Sequence, residues 1–77
     1  MDGMRNEYLI NASWDADAAV WVAVSDDVPG LVLESGSLDA LVERLRSAIP
    51  ELLALNGGET AETFVRLRAD RCERVFA

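Results

Sequence analysis

Residues 20–38 read VWVAVSDDVPGLVLESGSL, and the parsing of the whole chain follows from them. Ala19 to Ser25 is rich in β-branched and aromatic residues, with Val20, Val22 and Val24 sharing one face, so it is a strand. Asp26-Asp27-Val28-Pro29-Gly30 then breaks the alternation. Proline fixes its own φ and holds Val28 extended, while Gly30 permits a positive φ, so Pro29 and Gly30 shape a loop. Leu31 to Ser35 forms the next strand, closed by Gly36. Ser37 is a helix N-cap, and Asp39 in the first turn suits the positive end of the helix dipole.

Working outward, Glu7 to Trp14 alternates, with Tyr8, Ile10, Ala12 and Trp14 on one side and Leu9, Asn11 and Ser13 on the other. That is a half-buried strand. Asp15-Ala16-Asp17-Ala18 is a turn, since aspartate side chains hydrogen-bond their own backbone, and it joins the first two strands as a hairpin. Met1 to Asn6 has no periodicity and is a loose start. Downstream, Leu38, Leu41, Val42, Leu45, Ile49, Leu52 and Leu53 recur at spacings of three and four, one apolar stripe on a helix. Pro50 interrupts the run while the apolar phase continues, which predicts a kinked helix or a short second helix starting at Pro50. Asn56-Gly57-Gly58 ends it. Thr63 to Ala69 alternates again as a fourth strand, and residues 70–77 are a strand extension or a tail.

The expected fold class is therefore α+β, one domain over residues 1–77 in the order β-β-β-α-β. Strand three, the helix and strand four form a crossover that returns the last strand beside the first in parallel. One helix covers only one face of such a sheet. With the even residues of the first two strands facing it, Leu9, Trp21, Ala23 and Phe64 point away, and an uncovered Trp21 is a candidate contact surface. The other possibility is that Trp21 packs under the arginine-rich tail of its own chain.

Composition narrows the chemistry. The 77 residues are 51% hydrophobic and 27% charged, too apolar for a disordered chain. A chain this short buries only about 60% of its unfolded surface, so a homodimer or higher oligomer is expected. The longest apolar run, Ala18 to Val24, is far short of the ~20 residues of a membrane span, and no leader pattern precedes it. A cytoplasmic location is expected. The absence of histidine removes the commonest general base and zinc ligand, and the absence of lysine removes Schiff-base and P-loop chemistry. Cys72, alone between Arg71 and Arg74, has neither a base nor a resolving partner and is read as a structural thiol. Gly57 and Gly58 follow a helix rather than precede one, which is backwards for a phosphate cradle.

The net charge is −7, the wrong sign for direct nucleic-acid binding. It is also uneven: residues 1–65 carry 3 arginines against 12 acids, and Arg66, Arg68, Arg71 and Arg74 crowd the last 12 residues. Such a body favours basic partners. Convergent carboxylates among Asp15, Asp17, Asp26, Asp27 and Glu34 would be needed to hold Mg²⁺ for nuclease chemistry. The two aspartate pairs are separated by the length of the second strand, roughly 20 Å at about 3.3 Å per residue. Solvated turn acids explain them better.

Asp27-Val28-Pro29-Gly30 followed by Gly36-Ser37-Leu38 resembles the HicB-like antitoxin family, whose members carry an acid-x-Pro-Gly turn and then a Gly-Ser/Thr-Leu helix start. Trp14-Asp15, Val20 to Ala23, Ser25 to Leu31 and Pro50 to Leu52 resemble more closely a small HicB-like group called domain of unknown function 1902. The likeness spans about residues 7–56. It implies a partial ribonuclease-H-like β-β-β-α-β sheet and a binding role, in which the domain docks over a small basic RNA-cleaving HicA-like toxin. Typical members add a C-terminal DNA-binding domain, which is not expected here.

The function expected is thus a bacterial, non-enzymatic interaction domain of antitoxin type, with no catalytic residue, metal or cofactor. Trp21 is the expected apolar anchor and Asp26, Asp27 and Glu34 the partner-facing acids. The alternatives are a metal-dependent ribonuclease-H-like nuclease and a stand-alone homo-oligomeric module.

Overall fold

A computed structural model describes residues 7–57 and 63–76; the loose start assigned to residues 1–6 lies outside them. The elements are β1 (Glu7–Asp15), β2 (Val20–Val24), β3 (Val32–Ser35), α1 (Leu38–Leu55) and β4 (Phe64–Asp70). The expected β-β-β-α-β order and α+β class are therefore observed. The sheet runs β3-β2-β1-β4, with β4 parallel to β1 and the other neighbours antiparallel.

The β1–β2 hairpin closes at the Asp15–Val20 pair, across the four residues 16–19. Asp15 Oδ1 accepts the amides of Asp17 at 3.1 Å and Ala18 at 3.2 Å, and Ala19 takes a φ of 57°. A loop with an even number of residues pairs even positions of one strand with odd positions of the other. Ala12 thus lies opposite Ala23, and Trp14 opposite Trp21. This corrects the expected facing. Trp21 and Ala23 share the covered face with Ile10 and Ala12, whereas Val20, Val22 and Val24 lie on the open one.

The core joins Ile10, Ala12, Trp21 and Ala23 to Val28 and Leu31 of the loop and to Leu41, Leu45, Ile49 and Leu53 of the helix. The four helical residues recur every fourth position, the periodicity of a single buried stripe. Ser37 caps α1 by accepting the amide of Ala40 at 3.1 Å, and Asn56 and Gly57 (φ 78°) close it. The helix runs unbroken through Pro50, which excludes a second helix. Pro50 is exposed, and so is Arg46, whose carbonyl loses its amide donor to the proline ring.

The loop 25–31 is tied to β1. β1 has nine residues and β2 five, so the first part of β1 projects past its partner. At Leu9 side chains replace the missing rung. Ser25 Oγ donates to the Leu9 carbonyl at 2.7 Å, and Asp27 Oδ2 accepts the Leu9 amide at 2.8 Å. Ser25 Oγ also accepts the amides of Asp27 and Val28, at 3.0 and 3.2 Å. The Val28-Pro29-Gly30-Leu31 turn follows, closed by the Leu31 amide on the Val28 carbonyl at 3.2 Å, with Gly30 at φ 85°. Proline second and a positive-φ glycine third is the pattern of a type II turn. The clamp seats Val28 and Leu31 in the core.

Ser25→Ala removes three hydrogen bonds at once and should cost about 1–3 kcal/mol. Urea unfolding should show a lower midpoint with an unchanged slope.

Candidate functional site

The open face of the sheet is built from the positions that the hairpin register turns away from α1. Val32 lies opposite Val24, and Glu34 opposite Val22, on the β2–β3 side. Asn11, Ser13 and Asp15 of β1 occupy the middle, and Arg66 and Arg68 of β4 lie beside Leu9 and Asn11. The face is thus graded from apolar to basic. Val24 is 46% exposed and Val32 65% exposed, an unusual placement for two adjacent valines. Glu7 pairs with Arg66; its hydrogen bond and its charge push the guanidinium further above its ordinary range.

The residues expected to bind a partner are placed as follows. Trp21 is not an exposed anchor: it is only 8% exposed and belongs to the core. Its ring packs edge-on against Trp14, with centroids 5.4 Å apart and planes at 62°. Arg71, immediately after β4, lies 4.0 Å from the Trp14 centroid and 5.9 Å from that of Trp21. The arginine-rich tail does cover the tryptophan, because parallel pairing brings Asp70 beside Ser13 and Arg71 next to Trp14. Such stacking is worth about 0.5–2 kcal/mol.

Glu34 is exposed and lies on the open face, and its carbonyl accepts a hydrogen bond from Arg44 of α1. Asp26 is exposed in the loop after β2. Asp27 is exposed too, but its carboxylate is engaged by the Leu9 amide, so it shapes the loop together with Pro29 and Gly30. Asp26 and Glu34 border the valines from two sides rather than forming one cluster. Asp15 and Asp17 stand at the hairpin turn, the far end of β2 from Asp26 and Asp27. Among the described residues no three of Asp, Glu, Cys or His come together in a way that could hold a metal ion. Cys72 is exposed on the tail, not the structural thiol expected.

Sequence reasoning missed the exposed pair Val24 and Val32, and also the Ser25 clamp. The first was available from the even length of the hairpin loop; the second from Ser-x-Asp at 25–27, a spacing that favours local side-chain to backbone bonds. Among the described residues no helix is long and apolar enough to cross a membrane.

The model of the family described as Domain of unknown function (DUF1902) matches residues 7–77. The chain belongs to the DUF1902 family. A solved relative is the hypothetical protein TTHA1013 from the extremely thermophilic bacterium Thermus thermophilus. It is 41% identical, with a TM-score of 0.70, over 94% of this chain and 100% of that one. No curated protein matches the chain. For a DUF1902 domain the match places the tail beyond β4 within the family unit.

Trp21→Ala should act on folding before it acts on any interface. The loss expected for a core tryptophan is about 3–5 kcal/mol, read as a lower thermal midpoint in circular dichroism. Arg71→Ala should cost no more than about 2 kcal/mol and alter the tryptophan emission.

Proposed function

We propose that this DUF1902 chain is a non-enzymatic protein-interaction domain of antitoxin type. The β2–β3 side of its open sheet face, away from Arg66 and Arg68, docks on a small basic RNA-cleaving toxin and blocks its active site. The observation that carries the reading is the exposed Val24–Val32 pair, bordered by Glu34 and Asp26, on a chain of net charge −7. Apolar side chains supply the desolvated centre of such an interface, and acids at its border steer a basic partner and reject acidic ones. The likeness to HicB-like antitoxins in the Pro-Gly turn and the helix start supports the same assignment.

The competing reading, a metal-dependent nuclease, needs carboxylates that converge. Asp15 and Asp27 stand at opposite ends of the β1–β2 pair, and each has its carboxylate in a backbone hydrogen bond. An interaction role leaves both free to do this structural work.

The test is capture of the tagged chain from its native cells at low and high salt, followed by RNA-cleavage assays. A small basic protein should be released by salt, cleave RNA once freed, and be inhibited when the wild-type chain is returned. Val24→Asp combined with Val32→Asp should lose inhibition by about a hundredfold or more while keeping a native circular dichroism spectrum. Equal inhibition by that variant, or a released partner without ribonuclease activity, would refute the assignment.

A further inference from the structure

We propose that the outer edge of β4 binds an extended segment of a partner protein in which acidic and apolar residues alternate. The segment adds a fifth strand to the sheet. This is independent of the toxin reading, which uses the β2–β3 side.

The clamp at Leu9 reveals which backbone groups face that edge. Asp27 accepts the Leu9 amide and Ser25 donates to the Leu9 carbonyl, both on the β2 side of β1. Backbone groups turn to alternate sides along a strand, so Tyr8, Ile10 and Ala12 direct theirs to β4. In a parallel pair one residue bonds the two neighbours of its partner. Ile10, opposite Leu67, therefore engages Arg66 and Arg68. Val65, Leu67 and Ala69 turn their amides and carbonyls outward, a row of about 13 Å at about 3.3 Å per residue. Among the described residues no strand pairs with that row.

The opposite edge of the sheet is guarded. By the same alternation Val32 and Glu34 of β3 face outward, and Arg44 of α1 donates to the Glu34 carbonyl there. β3 has four residues and β4 seven. A short edge crossed by a charged side chain discourages strand addition, whereas a longer uncapped one invites it.

The side chains of β4 set the chemistry of the added strand. On the covered side Val65, 41% exposed, and Leu67 border a groove of about 500 Å³, walled by Val42, Ile49 and Pro50 of α1. Alternate residues of the added strand enter this groove and must be apolar. The intervening residues lie on the open face beside Arg66 and Arg68. Arg66 shares its charge with Glu7, but Arg68 is in no ion pair among the described residues. Opposite charges are favoured between neighbouring strands, so these positions call for carboxylates. The net charge of −7 does not override this, because exposed charges more than about 8 Å away are largely screened at physiological salt. A second copy fits the edge poorly. Two β4 strands overlapping fully in antiparallel register centre on Leu67 and set Arg66 against Arg68.

The probes are two fluorescein-labelled heptapeptides, one alternating glutamate with valine and one alternating lysine with valine. Fluorescence anisotropy with the full chain should show saturable binding of the glutamate peptide, about tenfold or more tighter than of the lysine peptide. Arg68→Glu should reverse that preference. Ala69→Pro removes one outward amide and no bond to β1, so it should keep a native circular dichroism spectrum and weaken binding about fivefold or more. Main-chain pairing is also read from the peptide: N-methylation of either its valines or its glutamates, whichever set turns its amides to β4, should abolish binding. No saturable binding of the glutamate peptide, equal binding of both peptides, or indifference to both methylated sets would overturn the proposal. So would a wild type that scatters light as a dimer and becomes a monomer in Ala69→Pro, since the edge would then belong to a second copy.

Discussion

The closure of the first hairpin at Asp15 and Val20 is the constraint on which the remaining structure depends. Side chains alternate along a strand, so shifting the pairing by one residue exchanges the two faces completely. The four-residue loop, held by the Asp15 carboxylate on two backbone amides, assigns Ile10, Ala12, Trp21 and Ala23 to one face. That face becomes the core. The small Ala12–Ala23 pair leaves room for the leucines and isoleucine of α1, and Trp21 takes its place beside Trp14 at the hairpin end. The valines of β2 are left on the open face by the same choice.

A second constraint acts at the other end of β1. The strand outruns its partner, and a backbone segment without a rung must find its hydrogen bonds elsewhere. Ser25 and Asp27 provide them at Leu9. Their bonds also fold the loop so that Val28 and Leu31 enter the core. In a chain of 77 residues these two loop residues are a substantial fraction of the buried apolar set, so the acid-x-Pro-Gly turn is as much a core element as a connection. Asp27 shapes this loop through its carboxylate on the Leu9 amide.

Placing the helix over β3 and β2 has two functional consequences. The open face presents Val24 and Val32 beside Glu34, the arrangement on which the antitoxin-type proposal rests. The covered face is only partly covered, and a groove remains over β4. A small domain with one helix and four strands cannot shield both. The molecule therefore has two unfinished apolar surfaces of different character, one bordered by acids and one walled by aliphatic and aromatic side chains.

The sequence by itself determined the element order, the N-cap at Ser37, the buried stripe of α1, the positive φ at Gly30 and the parallel return of β4 beside β1. These follow from local periodicity, capping chemistry and the short list of allowed connections. Continuity of α1 through Pro50 was not legible, because the loss of one hydrogen bond competes with packing energy that only the assembled core supplies. Only the tertiary structure decided which face of β2 is buried, although the parity of the loop length held the answer. It alone decided that Arg71 closes over Trp14 and Trp21, since that contact joins residues 57 and 50 positions apart through the pairing of β1 with β4. Spacing along a chain specifies which residues share a face of one element; which faces meet is set by the register between elements.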